Sequence, residues 1–356
     1  MQALILAGGE GTRLRPLTQT IPKPAIQLVD RPFLRFVIDW LASHGVDEVI
    51  VASGFGADEL RAALGEGGSG GPSIAYITEH EPLGTGGPLR LAADQGALAE
   101  RFLVLNGDVL TDLDLGELIR AHEECGAVAT LALHRVDDPT AYGLVRRTGG
   151  PEMPGAPAAI PSGEVLEFLE KPEPDAIDTD EISAGAYVLE RQVIDLIPGG
   201  RNVSIEREVF PRLVGHGLYG HGLRGYWMDI GTPERYLQAS WDILEGRVKT
   251  DVRVDRAGVL VETEVALAAD ASIGPRAVIA RGTQVGEGAS VSSSVVLPNG
   301  RIGAAAHVTE SILAPGARIG DGAKVGPGVV LGEGSQVEPG ARIDAGARIP
   351  PGGHAS

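Results

Sequence analysis

Residues 317–343 read "ARIGDGAKVGPGVVLGEGSQVEPGARI", and an aliphatic residue returns every six positions at Ile319, Val325, Leu331, Val337 and Ile343. Upstream, the same spacing links Ile273, Ile279, Val285, Val291 and Leu297. After a slip of one come Ile302 and Val308, another slip precedes Ile319, and Ile349 keeps step downstream. A six-residue apolar period with small turn residues is the pattern of a parallel β-helix, in which each aliphatic side chain fills the inside of one short strand. Three strands complete a triangular coil, so residues 255–349 supply roughly five coils.

All aromatic residues lie between Phe33 and Trp241, which places a boundary near residue 245. The expected domains are 1–245 and 250–356. Before the boundary, "QALILA", "EVIVAS", "SIAYIT", "RFLVLNGD" and "VATLALH" read as strands, alternating with helical stretches such as "FLRFVIDWLASHG" and "DLGELIRAHEECG". Strands interleaved with helices predict an α/β domain, Rossmann-like, with a mainly parallel sheet. Ligands bind such sheets at the carboxyl ends of strands.

The formal net charge is −18, and residues 251–356 hold 11 acidic and 9 basic side chains, so nearly all the excess falls on the first 250 residues. A surface of that sign repels nucleic acid and anionic lipid, and neither is an expected partner. No apolar run approaches the length of a membrane span. "ALILA" lacks a basic leader and reads as a core strand. The single cysteine, Cys125, excludes an internal disulfide and fits a reducing cytoplasm.

Directly after "ALILA" comes "GGEGTRLRPLTQTIPKP". Its glycines do not fall at the dinucleotide spacing, and no Gly-Lys-Ser/Thr follows. Gly8, Gly9 and Gly11 let backbone N–H groups approach anionic oxygens, while Thr12 and the planar fork of Arg13 add donors. Lys23 is one of only four lysines and is flanked by Pro22 and Pro24. The alternative is a tight turn with a solvated basic rim; phosphate binding is the better reading.

"LAGGEGTRLRPLTQTIPKP", "EHEPLGTGGPL", "VLNGDV", "YGLV", "FLEKP", "ISAGAYVL", "SIEREVFP" and "YWMDIGTPERYL" follow one another in the order found in the sugar-1-phosphate nucleotidyltransferases. The chain resembles that family over essentially its whole length, and its tail resembles the left-handed β-helix of hexapeptide-repeat proteins. The resemblance implies condensation of a nucleoside triphosphate with a sugar 1-phosphate, releasing pyrophosphate. The pattern is most similar to members joining GTP to mannose 1-phosphate; a thymidylyltransferase acting on glucose 1-phosphate stays open. A catalytically silent, sugar-nucleotide-sensing subunit is the alternative from another class, disfavoured because the catalytic positions are kept.

Residue by residue, the resemblance assigns the nucleotide to Leu6, Ala7, Gly8, Gly9, Gly11, Thr12, Arg13, Lys23, Glu79, Pro82, Gly84, Thr85, Asn106 and Asp108. It assigns the sugar phosphate to Gly143, Glu170, Lys171, Ser183 and Asp229, and catalysis to Arg13, Lys23 and Lys171. Asp108 and Asp229 taken alone are strand-end turn or cap residues; the resemblance implies that they hold Mg²⁺, which favours carboxylate and phosphate oxygens. Ser183 departs from the family's usual asparagine, which loosens the sugar assignment. Glu79 is the expected base reader, because a carboxylate accepts from both N1–H and the N2 amine of guanine; the alternative is a solvent-facing Glu79, with Glu81 or the backbone of "LGTGG" selecting the base. His307 lies in the repeat register and reads as a solvent-facing coil position. Asp112 and Asp114 read as helix-start residues. A homo-oligomer through the β-helix is expected.

Overall fold

The computed structural model describes residues 1–68, 70–255 and 258–356. The chain divides into two compact bodies. One comprises Met1–Gly9, Val37–Ala57 and Gly65–Trp227; the other comprises Glu10–Phe36, Asp58–Leu64 and Met228–Ser356.

A nine-stranded sheet organises the first body. Its strands are β1 (Gln2–Leu6), β2 (Glu48–Ser53), β3 (Ser73–Thr78), β4 (Arg101–Asn106), β5 (Ala129–Arg135), β6 (Gly143–Arg147), β7 (Ser162–Glu170), β8 (Glu181–Glu190) and β9 (Leu218–Gly222). They lie in the order β3-β2-β1-β4-β8-β5-β9-β7-β6. β1 pairs in parallel with β2 and β4, and β2 with β3, so this half is the expected parallel sheet. β8 enters antiparallel between β4 and β5, and the far half is mixed. β1, β2 and β4 are buried along nearly their whole length, which is why they read as continuous apolar runs without alternation.

Leu4, Ile50, Phe102, Val104, Leu131, Tyr187 and Phe210 belong to one core cluster. Each such side chain contributes about 1.5–3 kcal/mol through burial. Within β8 the register shifts between Ser183 and Tyr187. Gly185 sits there at φ 72°, and a Cβ on it would meet Asn106 Nδ2 at 2.7 Å. The bulge therefore lets β8 approach the end of β4 closely.

In the second body, three parallel sheets have six, six and four short strands, as a three-sided β-helix requires. Ile279, Val285, Val291, Ile302, Val308, Ile319, Val325, Leu331, Val337 and Ile343 are buried in a single cluster, as the six-residue period predicts. The two slips have a structural meaning. Ala277 faces Val259 and Val330 faces Ile312, but Val295 faces Val278 and Ile312 faces Val295, coils one residue shorter. His307 is exposed on the outer face, in keeping with a solvent-facing position; its Nδ1 lies 2.7 Å from Ser290 Oγ, and Lys324 is its register partner on the next strand.

Asp114 caps the helix Leu115–Cys125, accepting from the Glu117 N–H at 3.1 Å. The Asp112 Oδ1 accepts from the Tyr226 N–H at 2.7 Å, a long-range tie that local sequence does not reveal.

Candidate active site

In the first body the polypeptide leaves β1 at Leu6 and turns. The Ala7 N–H donates to Ala52 O at 2.8 Å and Leu6 O accepts from the Gly107 N–H at 2.9 Å, so the turn is fixed to both flanking strands. Gly8 packs against Glu79: a Cβ there would lie 2.7 Å from Glu79 Oε1. Among the described residues nothing lies within 4 Å of a Cβ added at Gly9. Glu79 follows β3, and its Oε2 accepts from the Leu83 N–H at 3.2 Å. Burial holds the Glu79 carboxyl above its ordinary value, and the Leu83 N–H draws it part of the way back.

Gly84 stands at φ 73° against Val203 O and Asn202, and the Pro82 carbonyl accepts from Asn202 Nδ2 at 3.0 Å. Thr85 turns its hydroxyl to Glu206, 2.5 Å away, and accepts from the Ile205 N–H at 2.9 Å. This threonine is therefore engaged in fixing the 202–206 segment. Asn106 ends β4, and its buried Oδ1 has no hydrogen-bond partner among the described residues. Asp108 follows two positions on and is half-buried.

Gly143 opens β6, where a Cβ would strike Phe168 Cζ at 2.5 Å and Glu170 Oε2 at 3.1 Å. Burial raises the Glu170 carboxyl, as does the charge of Glu206, while Lys171 and Arg207 oppose the rise. Lys171 is held at φ 53° by its N–H bond to Tyr142 O at 3.0 Å; its side chain is 62% exposed. A non-glycine residue in that region stores strain, which clusters at functional sites. Ser183 Oγ donates to the Tyr187 hydroxyl at 3.3 Å. Tyr187 is raised by burial and then by the charge of Glu206, with Glu170 and Asp108 adding to it. Asp108, Glu170, Glu206, Tyr187 and Ser183 thus share one acidic neighbourhood. Trp227 borders it, its Nε1 bonded to Ala184 O at 2.9 Å and its ring against Tyr142 and His134.

The second body holds Gly11, Thr12, Arg13, Lys23 and Asp229. Gly11 is left-handed at φ 62° and caps the short turn Thr12–Leu14; a Cβ would meet Thr18 Cγ2 at 2.9 Å and Lys23 Cβ at 3.1 Å. Glycine is required there on both counts. Thr12 and Arg13 are exposed, whereas Lys23 is 8% exposed. Lys23 Nζ lies 3.9 Å from Asp229 Oδ1, and Arg235 reaches Asp229 Oδ2 at 3.4 Å. The Arg13 guanidinium and Asp229 both crowd Gly231, where a Cβ would meet Arg13 Nη2 at 2.8 Å and Asp229 Oδ2 at 3.0 Å. Arg13, Lys23 and Arg235 therefore gather around a single carboxylate, a cationic group suited to phosphate oxygens.

Sequence reading singled out neither Glu206 nor Arg235. Glu206 lies inside "SIEREVFP" and Arg235 inside "TPERYL", but nothing in either string shows which side chain turns inward.

The nucleotidyl transferase family model matches residues 2–246, and the model described as GMPPB C-terminal domain matches residues 256–350. The mannose-1-phosphate guanylyltransferase of Mycobacterium tuberculosis is 39% identical over 304 residues, 83% of this chain and 79% of that protein. Mannose-1-phosphate guanylyltransferase 1 of Arabidopsis thaliana is 35% identical over 307 residues, 83% of this chain and 81% of its own length. Among solved structures, HddC from Yersinia pseudotuberculosis complexed with GMP-PN matches 68% of this chain and 99% of its own, at 28% identity and a TM-score of 0.56.

Proposed function

The chain belongs to the nucleotidyl transferase family, and from that premise we propose that it joins GTP to mannose 1-phosphate, giving GDP-mannose and pyrophosphate. The observation that carries the choice of base is the Glu79 carboxylate, fixed against Gly8 at the carboxyl end of a parallel strand. Guanine offers two adjacent donors to such a group, whereas uracil and thymine turn carbonyl oxygens toward it.

A phosphate oxygen of the sugar 1-phosphate attacks the α-phosphorus in line, and the bond to the departing pyrophosphate breaks. No covalent link to the protein is needed. Positioning and neutralisation of charge supply the acceleration. Arg13 and Lys23 neutralise the triphosphate and its leaving group, and Lys171 holds the incoming phosphate. Glu170 and Ser183 take sugar hydroxyls, and Gly143 keeps the backbone open to the ring.

The family uses a divalent cation. Asp108 and Asp229 offer only hard carboxylate oxygens, a donor set that fits Mg²⁺. No group of three or more His, Cys, Asp or Glu able to hold a metal is found among the described residues, so substrate phosphates would complete its shell. Such an ion supplies charge neutralisation at phosphate oxygens.

Catalysis on this reading belongs to residues 1–245, and residues 250–356 join copies of the chain. Val261 and Leu267, 43% and 42% exposed on the first coil, support such an assembly. Among the described residues no helix is long and apolar enough to cross a membrane. The lone Cys125 supports a reducing, cytoplasmic setting. The test is a matrix of the four common triphosphates against mannose, glucose and related 1-phosphates with Mg²⁺, read as pyrophosphate. Preferred turnover of GTP with mannose 1-phosphate is expected; preference for dTTP with glucose 1-phosphate overturns the assignment.

A further inference from the structure

Arg348 lies on the last strand of one β-helix sheet, beside Val330. Its Nη1 donates to Arg13 O at 3.1 Å and to Arg15 O at 3.0 Å. Its Nη2 lies 3.5 Å from Glu234, in the first turn of the helix Pro233–Leu244. A short 3₁₀ turn such as Thr12–Leu14 leaves carbonyls without partners of their own. One guanidinium from the tail satisfies two of them and ties the turn to the segment just after Asp229. The opposite end of the β-helix makes a second tie to the same stretch of chain. Glu262, on the first coil, accepts from Gln27 Nε2 at 2.7 Å and from the Arg281 N–H at 2.9 Å. The Gln27 carbonyl in turn accepts from the Tyr236 hydroxyl at 2.5 Å.

We infer that the β-helix is a working part of the nucleotide site, with Arg348 as a positioning residue that sets the backbone of the turn bearing Arg13 by capping its carbonyls. The inference rests on the proposed reaction for its kinetic consequences, but the contact itself is testable without turnover. Arg348 touches no substrate in this scheme. It acts through Arg13, so its loss weakens the hold on the triphosphate and leaves the sugar side alone. A residue needed only for folding would lower activity toward both substrates together.

The experiment compares Arg348→Gln and Arg348→Lys with wild type, using Arg301→Gln on another face of the β-helix as control. Initial rates give kcat and KM separately for GTP and for mannose 1-phosphate, and amide hydrogen exchange reports on residues 11–16. Arg348→Gln should raise the KM for GTP about tenfold, the scale of one net hydrogen bond felt indirectly through Arg13, with the KM for mannose 1-phosphate unchanged. Exchange at residues 11–16 should rise at the same time. Arg348→Lys should recover part of both effects, because an ammonium can donate to either carbonyl without the fork. Arg301→Gln should change neither. Wild-type exchange at residues 11–16 together with a wild-type KM for GTP in Arg348→Gln overturns the inference. If the wild-type protein makes no GDP-mannose, the proposed reaction fails, and the exchange data still decide whether Arg348 holds the turn.

Discussion

Lys23 Nζ stands 3.9 Å from Oδ1 of Asp229, while the guanidinium of Arg235 reaches Oδ2 of the same carboxylate at 3.4 Å. Lys23 is buried, so the carboxylate supports an ammonium that water can hardly reach. Asp229 therefore has a structural role in addition to its proposed place as a metal ligand.

Asp229→Asn keeps the shape and removes the charge. Turnover should fall on the order of a hundredfold or more, as when a preorganised charge partner is lost. Stability should drop by about 1–3 kcal/mol, because Lys23 keeps its burial but loses a counter-charge. Arg235→Gln, at a half-exposed site, should cost only about 0–1 kcal/mol. Urea unfolding and steady-state rates on both variants check the pair. Asp229→Asn with wild-type activity in Mg²⁺ removes Asp229 from the metal site.

Gly8 and Gly9 look alike in sequence but not in space. An added methyl at Gly8 would sit 2.7 Å from Glu79 Oε1, and one at Gly9 would meet none of the described residues within 4 Å. Gly8→Ala should displace Glu79 and narrow the preference for GTP over dTTP. Gly9→Ala should leave the melting temperature within about 2 °C of wild type, since surface changes of this kind cost under roughly 0.5 kcal/mol. Equal effects of the two substitutions on the GTP-to-dTTP ratio would contradict the packing of Gly8 on Glu79.

The β-helix was legible because its signal is periodic and local. Each coil reads its own aliphatic residues, and even the slips near Ile302 and Ile319 appear as short coils. The parallel strands β1 to β4 were legible as buried apolar runs. The antiparallel entry of β8 was not, because its place depends on pairing with Leu103 and Leu131, far away in sequence. Motif residues such as Glu79 and Lys23 could be named from their strings. Their supports could not: Thr85 meets Glu206, and Arg348 meets Arg13, through packing that no short window encodes.

Cutting the chain near residue 250 should separate these layers. The sheet of the first body has its own core cluster and should persist. Residues 10–36 should lose protection, because Glu262, Arg348 and the Asp251 partner of Arg31 leave with the tail. Circular dichroism should keep its α/β signature while GTP binding weakens at least tenfold, and light scattering should show a smaller assembly. Full GTP affinity in the truncated protein would assign the tail to assembly alone.

Burial sets the Glu79 carboxyl above its ordinary value, so the folded protein holds that proton more tightly than the unfolded chain does. Ionising Glu79 therefore costs stability as pH rises from the ordinary glutamate range to the raised value, and above that value the cost is complete. Reading guanine needs the ionised form, because only the carboxylate accepts from both donors. At neutral pH the preference for GTP over dTTP should be on the order of a hundredfold. It should fade on acidification at a higher pH than an exposed glutamate would allow. Glu79→Gln should flatten that profile and lose most of the preference. The same substitution should raise the urea midpoint at neutral pH, since the neutral amide avoids the cost of a buried charge while still accepting from the Leu83 N–H. The measurement is the ratio of kcat/KM for the two triphosphates across the acid range, in wild type and in Glu79→Gln. Two superimposable profiles would show that another group selects the base, and the guanylyl assignment would then rest on the relatives alone.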